Sequence, residues 1–354
     1  MKEDLKITLL GKLISEKEII SNIRTRKSEY FKESVNNGSA LLDEKLNDGW
    51  EIEAILKTKT KIIRQKPHDL AFEDKVWSLF ALLGFKLMNR ARNFHLPYDK
   101  KDENLTQQID VFAKDDETLL LVECKSAIKN KIGDFKEGLE AMASKREGLI
   151  NSISALFPNC KPKIKYIFAT RKLGISDLDL TRLKNIDGIH FPEEVIDYYF
   201  ALYDQIGKAA RYQLLGNLFA GKDIPDLENE IPAIEGRMGG HIYYSFSIEP
   251  EKLLKIGYVL HRNKAHENMM PTYQRLIKKN RLVEIQKFID DDKGYFPNSI
   301  IINIITDKNK KLEFSPSNNQ VANSISRTGI LHLPRKYHSA YIIDGQHRLL
   351  YSAI

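Results

Sequence analysis

Two carboxylates and an ammonium stand inside apolar runs of this chain, where charge is expensive. The stretch Gln108 to Ser126, QIDVFAKDDETLLLVECKS, is a β-hairpin pattern rich in Val, Ile, Leu and Phe that carries Asp110, Glu123 and Lys125. Strand side chains alternate, so Glu123 and Lys125 share one face and Cys124 takes the other. A turn at the KDDE tip, with Asp115 and Asp116 outermost, sets Asp110 opposite Leu121 and Glu123 on the next same-face diagonal. Diagonal neighbours lie about 7–8 Å apart at Cα, within reach of one shared ion. Hard Mg²⁺, or Mn²⁺, takes carboxylate oxygen plus several waters. Such an ion polarises a phosphodiester and acidifies a water. A nearby lysine would steady the charge developing on phosphorus. The plainer alternative is an exposed hairpin face with a Glu123–Lys125 salt bridge.

A second chemical pattern closes the sequence, HSAYIIDGQHRLLYSAI. An expected strand runs into Asp344 and Gly345, and a helix-prone segment follows. Gly345 permits a tight turn and close backbone approach. Free N–H groups at a helix start favour an anion. His347 and Arg348 would add positive charge in the first turn, His347 only when protonated. Strand, glycine turn and basic helix start together read as a phosphate cradle. The alternative is an ordinary Asp-Gly turn with a surface arginine.

The elements that must position these groups follow from periodicity. Apolar residues at helical spacing among many charges occupy the first 36 residues, and candidate strands WEIEAIL and TKIIRQK follow. After Pro67, AFEDKVWSLFALLGFKL (Ala71 to Leu87) reads as an amphipathic helix with the stripe Phe72, Val76, Leu79, Phe80 and Leu83. Glu73 flanks that stripe near the helix start. The hairpin comes next, then a long helix over 133–157, a buried strand KIKYIFAT, and further helices. Helix, strands, helix, strand, helix is an α/β plan. Residues 220–235 are turn-rich and polar and read as a boundary. Beyond it HIYYSFSI reads as a strand, SIIINII as a buried strand, AYIID as a third, and PTYQRLIKKNRLVEIQKFIDD as a basic helical stretch. The expected domains are 1–66, a basic lead-in; 67–222; and 236–354.

Bulk composition narrows the setting. The chain has 354 residues, 55 Lys and Arg against 48 Asp and Glu, and a net charge of +7, which favours polyanionic partners. Its two cysteines, Cys124 and Cys160, argue against a disulfide scaffold and a cysteine zinc site. No apolar run approaches the roughly 20 residues of a membrane helix, and the N-terminus does not read as a signal peptide. A cytoplasmic protein without a membrane partner is expected. No G-x-x-x-x-G-K-[ST] string supports a P-loop. His68 and His95 read as surface or satisfied polar residues, and Arg171 and Lys172 as strand-end cations able to face phosphates.

The order FEDKVWSLFALLGF, IDVFA, LLLVECKS resembles the PD-(D/E)xK, restriction-endonuclease-like superfamily over about Pro67 to Leu218, although Ile109 replaces the proline. That resemblance implies a mixed sheet flanked by helices. It implies Asp110 and Glu123 as metal ligands, Glu73 as a further acidic ligand, and Lys125 as the catalytic lysine. Gln108 would help orient substrate. The string DGQHR resembles the DGQHR-domain family, which includes DndB-type proteins of DNA-modification systems, over about Met238 to Ile354. With Ala353 it is also similar to the ParB/sulfiredoxin-like phosphate motif. This implies an α+β module binding a nucleoside triphosphate or nucleic-acid phosphate through Asp344, Gly345, Gln346, His347 and Arg348, with Tyr273, Gln274 and Arg275 nearby. Members continue past the motif, so the module is expected to be incomplete or completed by a partner chain.

The expectation is therefore a Mg²⁺-dependent DNA endonuclease linked to DNA modification or phage defence. DNA, a nucleotide and proteins of such a system would be its partners, and an oligomer is compatible with this. One alternative is a non-catalytic DNA-binding regulator. Another is a nucleotide hydrolase centred on the DGQHR motif.

Overall fold

The computed structural model describes residues 2–225, 227–258, 279–291, 293–306 and 311–351. The chain divides into two compact units, Met1–Tyr198 and Tyr199–Ile354. No described helix is long and apolar enough to cross a membrane.

The first unit opens with α1 (Glu3–Gly11), β1 (Leu13–Ser15) and α2 (Glu16–Lys27). A small sheet follows, made by β2 (Tyr30–Asn36), β3 (Glu51–Ile55) and β4 (Lys59–Gln65), with α3 (Ala40–Asn47) between β2 and β3. Val35, Trp50 and Ile62 form its own core. Helical periodicity in the sequence did not announce β1 or β2. Their pairing to β5 and β4, distant in sequence, overrides local preference.

Helix α4 (His68–Leu82) follows Pro67. Gly84 at φ +85° ends it, with Gly84 N–H on the Ala81 carbonyl and Phe85 N–H on the Phe80 carbonyl. The expected stripe of Phe72, Val76, Leu79, Phe80 and Leu83 is fully buried, but burial extends beyond it. Phe72, Asp74 and every residue from Val76 to Ala81 are buried, so this helix is surrounded rather than half-exposed. The expected helix end at Leu87 instead falls in β5 (Leu87–Asn89).

The large sheet then assembles from β5, β8 (Val111–Lys114), β9 (Thr118–Ile132), β10 (Lys163–Gly174) and β11 (Gly188–Pro192), after a side ribbon of β6 (Phe94–Pro97) and β7 (Thr106–Ile109). Its order is β1-β5-β8-β9-β10-β11. Pairing is antiparallel from β1 to β9 and parallel from β9 to β11. Helices α5 (Lys136–Leu156) and α6 (Asp177–Asn185) make the crossovers that parallel strands require. Leu139, Met142, Leu149 and Ile153 of α5 join Phe112, Leu119, Leu121 and Phe168 of the sheet in one core. Helix α7 (Glu193–Ile206) ends this run, and the division between the two units falls within it.

The second unit continues with α8 (Ala210–Leu218). A four-stranded sheet holds β12 (Glu230–Met238), β13 (His241–Phe246), β16 (Glu313–Pro316) and β17 (Arg327–His332), in the order β13-β12-β17-β16. The expected linker therefore ends in an inner strand. Pro232 is tolerated there because pairing with β13 begins only at Ala233. A second sheet joins β14 (Gly257–Tyr258), β15 (Ile301–Ile304) and β18 (Ala340–Asp344), next to α9 (Pro250–Ile256), α10 (Lys279–Asp290) and α11 (Gln346–Tyr351). Strand β15 was expected to be buried. It is an edge strand, and its residues are exposed or half-exposed.

Candidate functional site

The hairpin of β8 and β9 pairs Val111 with Val122 and Phe112 with Leu121. This register differs by two residues from the one expected of the KDDE turn. The tip is Asp116–Glu117, because the Asp115 carboxylate anchors the turn. It accepts from Glu117 N–H, Thr118 N–H and the Thr118 hydroxyl. A two-residue slip preserves which face each side chain takes. Continued by one position, it sets Asp110 directly opposite Glu123 rather than on a diagonal.

Asp110 lies at a bend between β7 and β8, and two groups fix it. Asn89 of β5 donates to the Asp110 carbonyl at 3.0 Å and accepts from Phe112 N–H at 3.0 Å. The buried Asn89 amide thus serves the main chain at the strand break. The Asp110 carboxylate accepts from Cys124 N–H at 2.8 Å and from the Gln108 amide at 3.2 Å. Gln108, expected to orient substrate, holds Asp110 here. Glu123 pairs with Lys125 at 2.6 Å, and Lys125 is half-exposed. Glu73 arrives from α4 with one carboxylate oxygen, Oε2, buried and without a hydrogen-bond partner.

The electrostatics tie these groups together. Burial, reinforced by the Asp110 charge and opposed by Arg92, pushes Glu73 up to about 7. Burial raises Asp110 above its ordinary value against the pull of Cys124 N–H and Lys125. Burial and the Asp110 charge raise Glu123, opposed by Lys125 and Lys145. Lys125 loses stability as a cation through burial, but Glu123 and Asp110 outweigh this and raise it. Three carboxylates that resist joint ionisation make a region where added positive charge is favourable. Among the described residues, no three His, Cys, Asp or Glu side chains form a ready metal cage. Mg²⁺ does not require one, since one or two carboxylates and several waters suffice. The partnerless Glu73 Oε2 and the crowded acids therefore fit a hard dication.

Sequence reasoning missed Asn89, Arg92 and Lys145. It also missed Asp74, one residue beyond Glu73 and fully buried, which holds Arg26 at 3.0 Å, Lys66 at 2.7 Å and Arg92 at 2.5 Å. These residues are scattered along the sequence and form no local motif that would reveal them. Cys124 turns to the opposite face and is buried; it and Cys160 are free thiols. His68 shares a hydrogen bond with Ser126 at 2.7 Å, and His95 one with Thr106 at 3.3 Å. Arg171 is engaged by Glu193 at 3.2 Å.

In the second unit β18 runs into Gly345 at φ +88° and then α11. A Cβ on Gly345 would lie 2.9 Å from Ile300, so the turn requires glycine twice over. Arg348 turns back on this bend. Its guanidinium donates to the carbonyls of Asn298 and Ser299 and meets Asp344 at 3.3 Å. Gln346 is buried, His347 half-buried and Asp344 exposed. Tyr273, Gln274, Arg275 and Ala353 lie outside the described residues.

Residues 231–354 match the DndB family model, DNA-sulfur modification-associated. That match supports the DndB-type reading of the C-terminal segment and links it to DNA-sulfur modification. No curated protein matches the chain. Protein VC1899 from Vibrio cholerae, known from a crystal structure, is 14% identical, with a TM-score of 0.26. The likeness covers 58% of this chain and 53% of that one, so the chain spans about half the length of VC1899. At that score the likeness carries no argument.

Proposed function

We propose that the first unit is a divalent-metal-dependent DNA endonuclease acting beside a DndB-type module. One observation carries the reading: Asp110 stands across the β8–β9 hairpin from Glu123 and Lys125, with Glu73 of α4 near enough to feel the Asp110 charge. The order of helix, three antiparallel strands, helix and parallel strand supports a restriction-endonuclease-like core. Asp110 and Glu123, joined by Glu73, would hold Mg²⁺ or Mn²⁺. When bound, such an ion supplies Lewis acidity to a phosphate oxygen and acidifies a water. Lys125 keeps its proton and sits at the exposed rim of the cluster, where its ammonium can face the scissile phosphate. Gln108 and Cys124 N–H hold the Asp110 carboxylate and Asn89 holds its main chain, so little rearrangement is needed at the moment of reaction.

The C-terminal module would bind DNA phosphate or a nucleotide through Asp344, Gly345, Gln346, His347 and Arg348 and set access to the first unit. The family description favours DNA bearing, or about to receive, a sulfur modification as the setting. Plasmid cleavage with Mg²⁺, Mn²⁺ or EDTA, on modified and unmodified DNA, tests the reading. Metal-dependent nicking by wild type and none by Asp110→Ala is expected.

A second reading has its own observation. Glu123 and Lys125 pair with each other at 2.6 Å, as they would in a DNA-binding regulator that has no catalytic use for them. Duplex binding with no cleavage on any substrate, equal in wild type and Asp110→Ala, would favour that regulator.

A further inference from the structure

Strand β9 does not stop at the candidate site. It runs on from Lys125 through Ser126, Ala127, Ile128, Lys129, Asn130, Lys131 and Ile132. This KSAIKNKI stretch holds three lysines and no acid. It also leaves its neighbour: Arg171 of β10 pairs with Ser126, but Leu173 pairs with Lys131. Five steps along β9 thus answer two along β10, and β9 arches outward between them. The arch is held within its span and at its far end. Lys172, at φ 55°, donates to the Ile128 carbonyl at 3.2 Å, and Gly133 N–H donates to the Gly174 carbonyl at 2.9 Å. An open concavity of about 500 Å³ lies against it, lined by His68, Ser126, Ala127, Ile128, Lys129 and Lys131. Lys129 and Lys131 are exposed, and Ile128 is 71% exposed.

We propose that this arch is a clamp for the phosphate backbone of duplex DNA, placed directly after the catalytic lysine. The assignment of the neighbouring site rests on the nuclease reading above; the clamp itself rests on the arch. A bulged strand that bends away from its sheet is a common way to aim side chains beside an active site. An acid-free cationic run beside a concave surface is the footprint of a polyanion. The exposed side chains of Lys129 and Lys131 supply the contacts to the phosphate backbone. Backbone contacts of this kind fix register on the duplex without reading its sequence.

Binding of a short fluorescent duplex in EDTA, followed by anisotropy between about 50 and 200 mM salt, tests this without any cleavage. The variant Lys129→Gln/Lys131→Gln changes two exposed side chains. Lys100→Gln/Lys101→Gln loses the same charge elsewhere on the unit. Each phosphate contact adds about 0.9 to the slope of log affinity against log salt. The arch variant is expected to lose about 1.8 from that slope, while the control keeps the wild-type value. An unchanged slope in the arch variant, an equal loss in the control, or no duplex binding by wild type would overturn the clamp. Failure of the nuclease reading is separate: it would appear as no metal-dependent cleavage while the slope difference persists.

Discussion

The Asp110 carboxylate accepts the Cys124 backbone N–H at 2.8 Å, so the acid offered to a metal is also a bond that closes the hairpin. The two roles separate by substitution. Asp110→Asn keeps an acceptor for Cys124 N–H. Asp110→Ala leaves that buried donor unsatisfied at about 1–3 kcal/mol. Urea denaturation should therefore rank wild type and Asp110→Asn close together and Asp110→Ala below them, while neither variant nicks plasmid.

Lys125 is half-exposed, and its pair with Glu123 contributes little to stability, within about 1 kcal/mol. Lys125→Met should unfold at nearly the wild-type midpoint. Its cleavage rate should fall at least about 100-fold, the scale of losing one electrostatic stabiliser. Near-wild-type cleavage would remove Lys125 from the mechanism.

Glu73 gives a pH signature. Its folded value of about 7 lies above the ordinary glutamate value, because burial and Asp110 disfavour its charge. The native state then holds a proton that the unfolded chain releases, so this contribution to stability is full below the ordinary value and lost as pH rises through 7. Without divalent metal, the denaturation midpoint should fall between about pH 5 and 7.5. Glu73→Gln should flatten that fall. Millimolar Mg²⁺ should also reduce it, since a bound dication favours the ionised acid. A wild-type midpoint that stays level across this range would contradict the assignment.

Asp74 is buried among Arg26, Lys66 and Arg92. Removing the one acid strands buried cations, which costs about 3–5 kcal/mol. Asp74→Ala should lose that much in chemical denaturation, and Asp69→Ala, on the exposed start of the same helix, less than about 0.5 kcal/mol.

Arg348 braces the carbonyls of Asn298 and Ser299. Arg348→Lys keeps the charge but loses the forked geometry. Calorimetric titration with a nucleoside triphosphate should show binding by wild type and weakening of about tenfold or more in Arg348→Lys, the effect of losing about 1.4 kcal/mol.

Much of the first unit was legible in sequence. Strand alternation alone placed Glu123 and Lys125 together, and the order of α4, the hairpin, α5 and β10 followed from periodicity. The register was not, because no Asn-Gly or Asp-Gly dipeptide marks the turn. Asp115 fixes it through side-chain bonds that a Lys-Asp-Asp-Glu-Thr string shows only in retrospect. Asn89 and Asp74 were illegible for a different reason. A polar residue in an apolar run looks the same whether it faces water or a distant partner, and their partners are set by tertiary packing. The inner strand β12 was hidden by Pro232 and Gly236, which read as turn residues until β13 and β17 are seen to flank them.

The ring of cations around Asp74 bears on how this domain can be inherited or exchanged. Two of the three, Arg26 and Lys66, come from the first 66 residues, and β1 from the same segment forms the outer edge of the large sheet. A chain begun at Pro67 would keep Glu73, Asp110, Glu123 and Lys125 yet lose an edge strand and most of the counter-charge beneath α4. The catalytic-looking core is therefore not a portable cassette: recombination that moves it between proteins must carry the lead-in with it, or supply a replacement for both.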